Sequence, residues 1–133
     1  MDKKENIKEL VRDKYAEIAM KQKPCCCGSN KKSEYSVFNE NYDHLPGYMK
    51  EADMNLGCGV PVEHAGMKPG DSVIDLGCGA GNDCFVARAI VGETGKVTGL
   101  DFTDEMLTKA VRNTRYLGYE NVNFIKGDIE DIP

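Results

Sequence analysis

The sequence predicts an α/β fold in which strands and helices alternate from Asp71 onward. Three observations predict it. The apolar pair Val73-Ile74 leads into the glycine turn Asp75-Leu76-Gly77-Cys78-Gly79-Ala80-Gly81, and Asn82-Asp83-Cys84-Phe85-Val86-Ala87 follows as a helix start. Lys96-Val97-Thr98-Gly99-Leu100-Asp101 and Val122-Asn123-Phe124-Ile125-Lys126 read as two further strands. Helical spacing fills the intervals between them, over 83–91 and 104–117.

Taken in order, the chain opens with an amphipathic helix over 4–21. Ile7, Leu10, Val11 and Ile18 recur at helical spacing, with Tyr15 and Ala19 beside them. Pro24 ends it, because proline cannot continue the hydrogen-bond ladder. Residues 22–46 are polar and irregular, with one short element expected near 36–41. Residues 47–70 form a connector that contains Leu56-Gly57-Cys58-Gly59-Val60-Pro61 and Met67-Lys68-Pro69-Gly70. In the last helix Thr103 is placed as N-cap, and Asp104 and Glu105 suit its positive end. Its inner face is Met106, Leu107, Ala110, Val111 and Thr114. No internal repeat is seen.

The glycine turn carries the chemistry. Glycines at alternate positions let the backbone bend tightly and approach a ligand closely. A dinucleotide turn requires G-x-G-x-x-G, whereas here the sixth position counted from Gly77 is Asn82. The pattern is instead G-x-G-x-G, with Asp75 two positions ahead. S-adenosylmethionine has no phosphate but presents an amino group, a carboxylate and a sulfonium. Asp75 is placed to accept from the amino group, directly or through water, and the N–H groups of the turn are placed to take the carboxylate. Asp101 ends the second strand about 20 residues past Gly81, where an acid accepts from ribose hydroxyls. Asp128 follows the third strand and suits the adenine amino group, with Ile129 against the ring. Gly77, Gly79, Gly81, Phe102 and Met106 complete the expected cofactor set.

Composition bounds the alternatives. The chain has 133 residues, 41% of them hydrophobic, which gives room for one domain with a modest core. Net charge is −5 and no basic run exceeds a pair, so nucleic-acid binding has little support. No stretch approaches the roughly 20 apolar residues of a membrane span, and the start lacks the apolar run of a secretory signal. A cytoplasmic, reducing compartment is expected, with the six cysteines as thiols. No C-x-x-C pair is present, which argues against a zinc ribbon. Cys78 and Cys84 read as small structural residues. Cys25, Cys26 and Cys27 have no packing rationale in a polar loop, and Cys58 sits between two glycines that can aim it. Such thiols suit a soft metalloid, for example trivalent arsenic.

The chain resembles the N-terminal part of arsenite S-adenosylmethionine methyltransferases, within the class I methyltransferase group. The resemblance lies in residues 11–19, the Cys25-Cys26-Cys27-Gly28 loop, Asn55-Leu56-Gly57-Cys58-Gly59-Val60-Pro61 and residues 73–87; residues 94–103 add to it. It implies a Rossmann-like fold, truncated after the third strand, with an N-terminal helix and Cys-rich loop over 1–46 and the N-terminal half of the methyltransferase domain over 47–133. It further implies that arsenic(III), as arsenite or its thiol conjugates, is held by thiolates while its lone pair takes the methyl group. Cys58 matches the first arsenic-holding thiol, and Cys26 or Cys27 the mobile loop thiol, in a site incomplete without the family's C-terminal part. The isolated chain is therefore expected to be inactive, and to self-associate through an unprotected 73–76 strand edge. Two other readings stay open: a methyltransferase of a quinone or sterol precursor, and a non-catalytic thiol-rich arsenic-binding module.

Overall fold

The structure, a computed structural model, describes residues 3–21, 44–54 and 60–133. Cys25, Cys26, Cys27, Cys58 and the element expected near 36–41 lie outside these residues.

The chain forms helix α1 (Lys3–Lys21), a short 3-10 turn (Pro61–Glu63), and then strand β1 (Ser72–Leu76), helix α2 (Asn82–Val91), strand β2 (Lys96–Asp101), helix α3 (Asp104–Leu117) and strand β3 (Val122–Lys126). The three strands pair in parallel in the order β1-β2-β3. Parallel neighbours need a crossover between them, and α2 and α3 supply it. This is the parallel α/β frame that the alternation predicts, and it agrees with the Rossmann-like fold that the resemblance implies.

Register explains the core. Val73, Val97 and Val122 lie in one row across the sheet, and Asp75, Gly99 and Phe124 in another. This face packs into a cluster with Phe85, Val86 and Val91 of α2 and Met106 of α3. Phe85 meets Phe124 edge-on, with ring centroids 6.3 Å apart. The strand period of two sends Ile74, Leu76 and Ile125 to the other face. There Ile74 is 67% and Leu76 52% exposed, and among the described residues β1 has no pairing partner beyond β2.

Three expectations change. α1 forms, but Ile7, Leu10, Val11 and Tyr15 are exposed, and among its described side chains only Ala19 is buried. The helix meets the body chiefly along α3, so its apolar residues exceed the surface available to cover them. On α3, Val111 points outward, while Asn113 is buried and donates to the Ala80 carbonyl at 3.3 Å. Thr103 occupies the N-cap position, but its side chain makes no capping bond. Its N–H donates instead to Asp101 Oδ1 at 2.8 Å.

Candidate cofactor site

The turn between β1 and α2 lies beside the C-terminal end of β2, where ligands bind in open α/β sheets. The N–H groups of Gly77 and Cys78 donate to the Leu100 carbonyl at 2.8 and 3.0 Å, and that of Gly79 to Asp101 Oδ2 at 2.9 Å. Gly81 N–H closes on the Cys78 carbonyl at 3.0 Å. These four donors are committed within the protein, which corrects the expectation that they would take a ligand carboxylate. The turn needs them to hold its own shape against β2.

The glycines divide by role. Gly77 has φ +78, and a Cβ there would meet nothing within 4 Å. Gly77 and Gly79 both border a cavity of about 300 Å³. At Gly81 (φ +98) a Cβ would lie 2.9 Å from the Phe85 ring and 3.0 Å from Phe124. Gly81 therefore serves packing beneath α2, and it does not border the cavity.

Five walls, one of them shared by two segments, enclose the cavity. The turn contributes Cys78 and Ala80, α2 contributes Asn82 and Asp83, and the end of β2 contributes Asp101, Phe102 and Thr103. Met106 comes from α3. The fifth wall is Tyr15 of α1 with Ala52, Asp53 and Met54 of the 44–54 segment. Sequence reasoning missed this wall. The segment is tied to α2 by Met49 N–H donating to Asn82 Oδ1 at 3.3 Å and braced internally by Tyr48 donating to Asp53 Oδ2 at 3.0 Å. The Asn82-Asp83 pair directly after the turn was the available signal.

Of the expected residues, the structure brings Gly77, Gly79, Asp101, Phe102 and Met106 to the cavity. Asp101 is buried and accepts two backbone N–H groups, so it fixes the turn as well as facing the ligand space. Asp75 stands behind the turn, on the α2 side of β1. Its Oδ2 accepts from the Cys84 thiol at 3.3 Å. Burial, with Asp83 and Asp101 nearby, pushes its carboxyl up from 3.8 to about 6. Asp128 and Ile129 do not border the cavity. Asp128 is held by Lys8 of α1 at 2.5 Å, in a bridge that Glu130 shares at 2.9 Å. This pairing holds the Asp128 carboxyl below its usual range.

The arrangement suits a ligand with a cationic end. Asp83 and Asp101 face the space, and Asp75 adds charge from behind. Phe102 and Met106 offer apolar surface, and the open backbone at Gly77 and Gly79 admits close approach. Among the described residues no His, Cys, Asp and Glu group could hold a metal ion, and no helix is long and apolar enough to cross a membrane.

Comparison with known proteins agrees. The chain is 38% identical over 143 aligned positions to an arsenite methyltransferase of Halobacterium salinarum, covering 97% of this chain and 37% of that one. It is 32% identical over 110 positions to the chloroplastic 2-phytyl-1,4-beta-naphthoquinone methyltransferase of Arabidopsis thaliana, covering 80% of this chain and 42% of that one. It thus spans well under half the length of these relatives. A crystal structure of a SAM dependent methyltransferase from Aquifex aeolicus superposes with a TM-score of 0.51 at 36% identity, over 55% of this chain and 39% of that one. The methyltransferase domain model matches residues 67–133, the segment that builds the turn and most of the cavity, and the chain belongs to that family.

Proposed function

We propose that this chain carries the cofactor-binding part of an S-adenosylmethionine-dependent methyltransferase whose substrate is thiolate-bound arsenic(III). The observation that carries the reading is the likeness to an arsenite methyltransferase across 97% of the chain, which takes in the cysteine segments as well as the turn. The cavity fits the cofactor. Asp101 and Phe102 suit the nucleoside, while Asp83 and, through water, Asp75 suit the ammonium. Gly77 and Gly79 leave room that a Cβ would fill. Bound S-adenosylmethionine supplies a methyl group on a sulfonium, open to attack by a lone pair without a general base.

The role of the protein is then to position. Cys58, with Cys26 or Cys27, holds arsenic as thiolate and aims its lone pair. Residues 1–46 bring the loop thiols, and residues 47–133 bring the cofactor. Asp128 and Ile129 belong to the adenine end in this reading, with Lys8 released from Asp128 when the ligand enters.

A second reading has its own support. The likeness to a quinone methyltransferase covers 80% of the chain. It leaves Cys25, Cys26, Cys27 and Cys58 without a task. Calorimetric titration of the reduced chain with S-adenosylmethionine and, separately, with trivalent arsenic distinguishes the two. Arsenic binding that disappears in Cys58→Ser supports the arsenic reading. Cofactor binding without arsenic binding favours a quinone-type substrate. Arsenic binding without cofactor binding favours a thiol-rich binding module.

A further inference from the structure

Cys84 looks like packing in the sequence, yet the structure gives it a polar task. It sits in the first turn of α2, 0% exposed, with its Sγ 3.3 Å from Asp75 Oδ2. Cys78 of the glycine turn is the other thiol beside it. A Cβ on Gly99 would come within 2.7 Å of Cys78 Sγ, so the thiols are closely confined between the turn, α2 and β2.

We propose that Cys84 is a positioning residue: its thiol holds the Asp75 carboxylate behind the glycine turn, and this hydrogen bond sets the pH range over which the site accepts the cationic end of its ligand. The identity of that ligand rests on the function proposed above. The Cys84–Asp75 link rests on the geometry of this chain alone.

The groups facing Asp75 are Asp83 and Cys84 from α2 and Asp101 from β2. Burial and the two carboxylates favour its neutral form, and the Cys84 hydrogen bond opposes them. Cys84 itself keeps its proton. The neighbouring Cys78, burial and the Asp75 charge all push its thiol well above the ordinary range. It is thus a fixed donor while Asp75 titrates in front of it. Without the donor, Asp75 should hold its proton to higher pH, and the site should lose negative charge where the wild type still has it. A serine hydroxyl restores the donor at nearly the same size.

The test follows the Asp75 carboxyl carbon by NMR in the ligand-free chain, in wild type, Cys84→Ala, Cys84→Val and Cys84→Ser. A hydrogen bond of ordinary strength predicts a midpoint higher by about half to one pH unit in the Ala and Val variants. Serine should bring it back to the wild-type value or below. The Val variant leaves no void should the Ala variant fail to fold. Calorimetry with S-adenosylmethionine between about pH 5 and pH 8 should show the affinity midpoint moving in the same order.

An unmoved Asp75 midpoint in the donor-free variants, or no return with serine, overturns the proposal. Affinity that ignores pH while the carboxyl midpoint moves overturns its second half. If the midpoint moves as expected but S-adenosylmethionine binds at no pH, the positioning role stands and the cofactor reading falls.

Discussion

Asp75→Asn should stabilise the ligand-free protein while weakening its binding, and the size of the effect follows from the site. A carboxyl raised from 3.8 to about 6 by burial and like charge is costly to keep ionised. At about 1.4 kcal/mol per pH unit, ionising it in the folded state costs about 3 kcal/mol. The folded chain holds this proton more tightly than the unfolded chain. It therefore binds more protons between about pH 4 and 6, and stability falls as pH rises through that window. Above about pH 7 the whole cost applies. Asparagine cannot ionise, and its carbonyl can still accept from Cys84. The variant should gain up to about 3 kcal/mol at pH 8, about 10 °C in Tm for a chain of this size, and almost nothing at pH 4. Urea unfolding at both pH values, with S-adenosylmethionine titration beside it, reads both sides. A variant less stable than wild type at pH 8, or one with the same gain at both pH values, would refute the reasoning.

Other predictions follow from single residues. Gly81→Ala places a Cβ 2.9 Å from the Phe85 ring at φ +98, so it should lose about 1–3 kcal/mol in denaturant unfolding, whether or not ligand is present. Asp101→Ala orphans the N–H groups of Gly79 and Thr103, and should abolish S-adenosylmethionine binding as well as lower stability by about 1–3 kcal/mol. Tyr15→Ala should reduce ligand affinity with little change in Tm, because Tyr15 borders the cavity but lies exposed on α1; retained affinity would remove α1 from the site. The open β1 edge and the exposed Ile74 and Leu76 should drive concentration-dependent association, measured by light scattering and reduced in Leu76→Lys. A wild-type monomer at high concentration would count against that interface.

What the sequence determined by itself is the local frame. Two strands match their expected bounds, at Lys96–Asp101 and Val122–Lys126, as does the helix Asp104–Leu117. Alternating or continuous apolar residues and glycine punctuation are short-range signals, readable without knowing what packs where. The placement of Asp101 at the cavity followed from the same frame, since a residue ending a parallel strand next to the turn has few other places to face.

Tertiary structure decided what depends on residues distant in the chain. The apolar residues of α1 show the right period, but whether a face is buried depends on the area opposite it, and α3 covers little. Asp128 follows its strand as expected, yet its carboxylate is held by Lys8, a partner from the other end of the chain. Asp53 and Met54 reach the cavity because the 44–54 segment is anchored to Asn82 and packed over α2, and Tyr15 because α1 lies along α3. Four of the turn's N–H groups, which in isolation look open to a ligand, are taken by Leu100, Asp101 and Cys78. Cys84 reads in the sequence as a small buried side chain. Only the fold sets it against a half-buried carboxylate, where a weak donor bears on the charge of the site. Periodicity reports which residues share a face, and the partner that face meets is settled by long-range contacts.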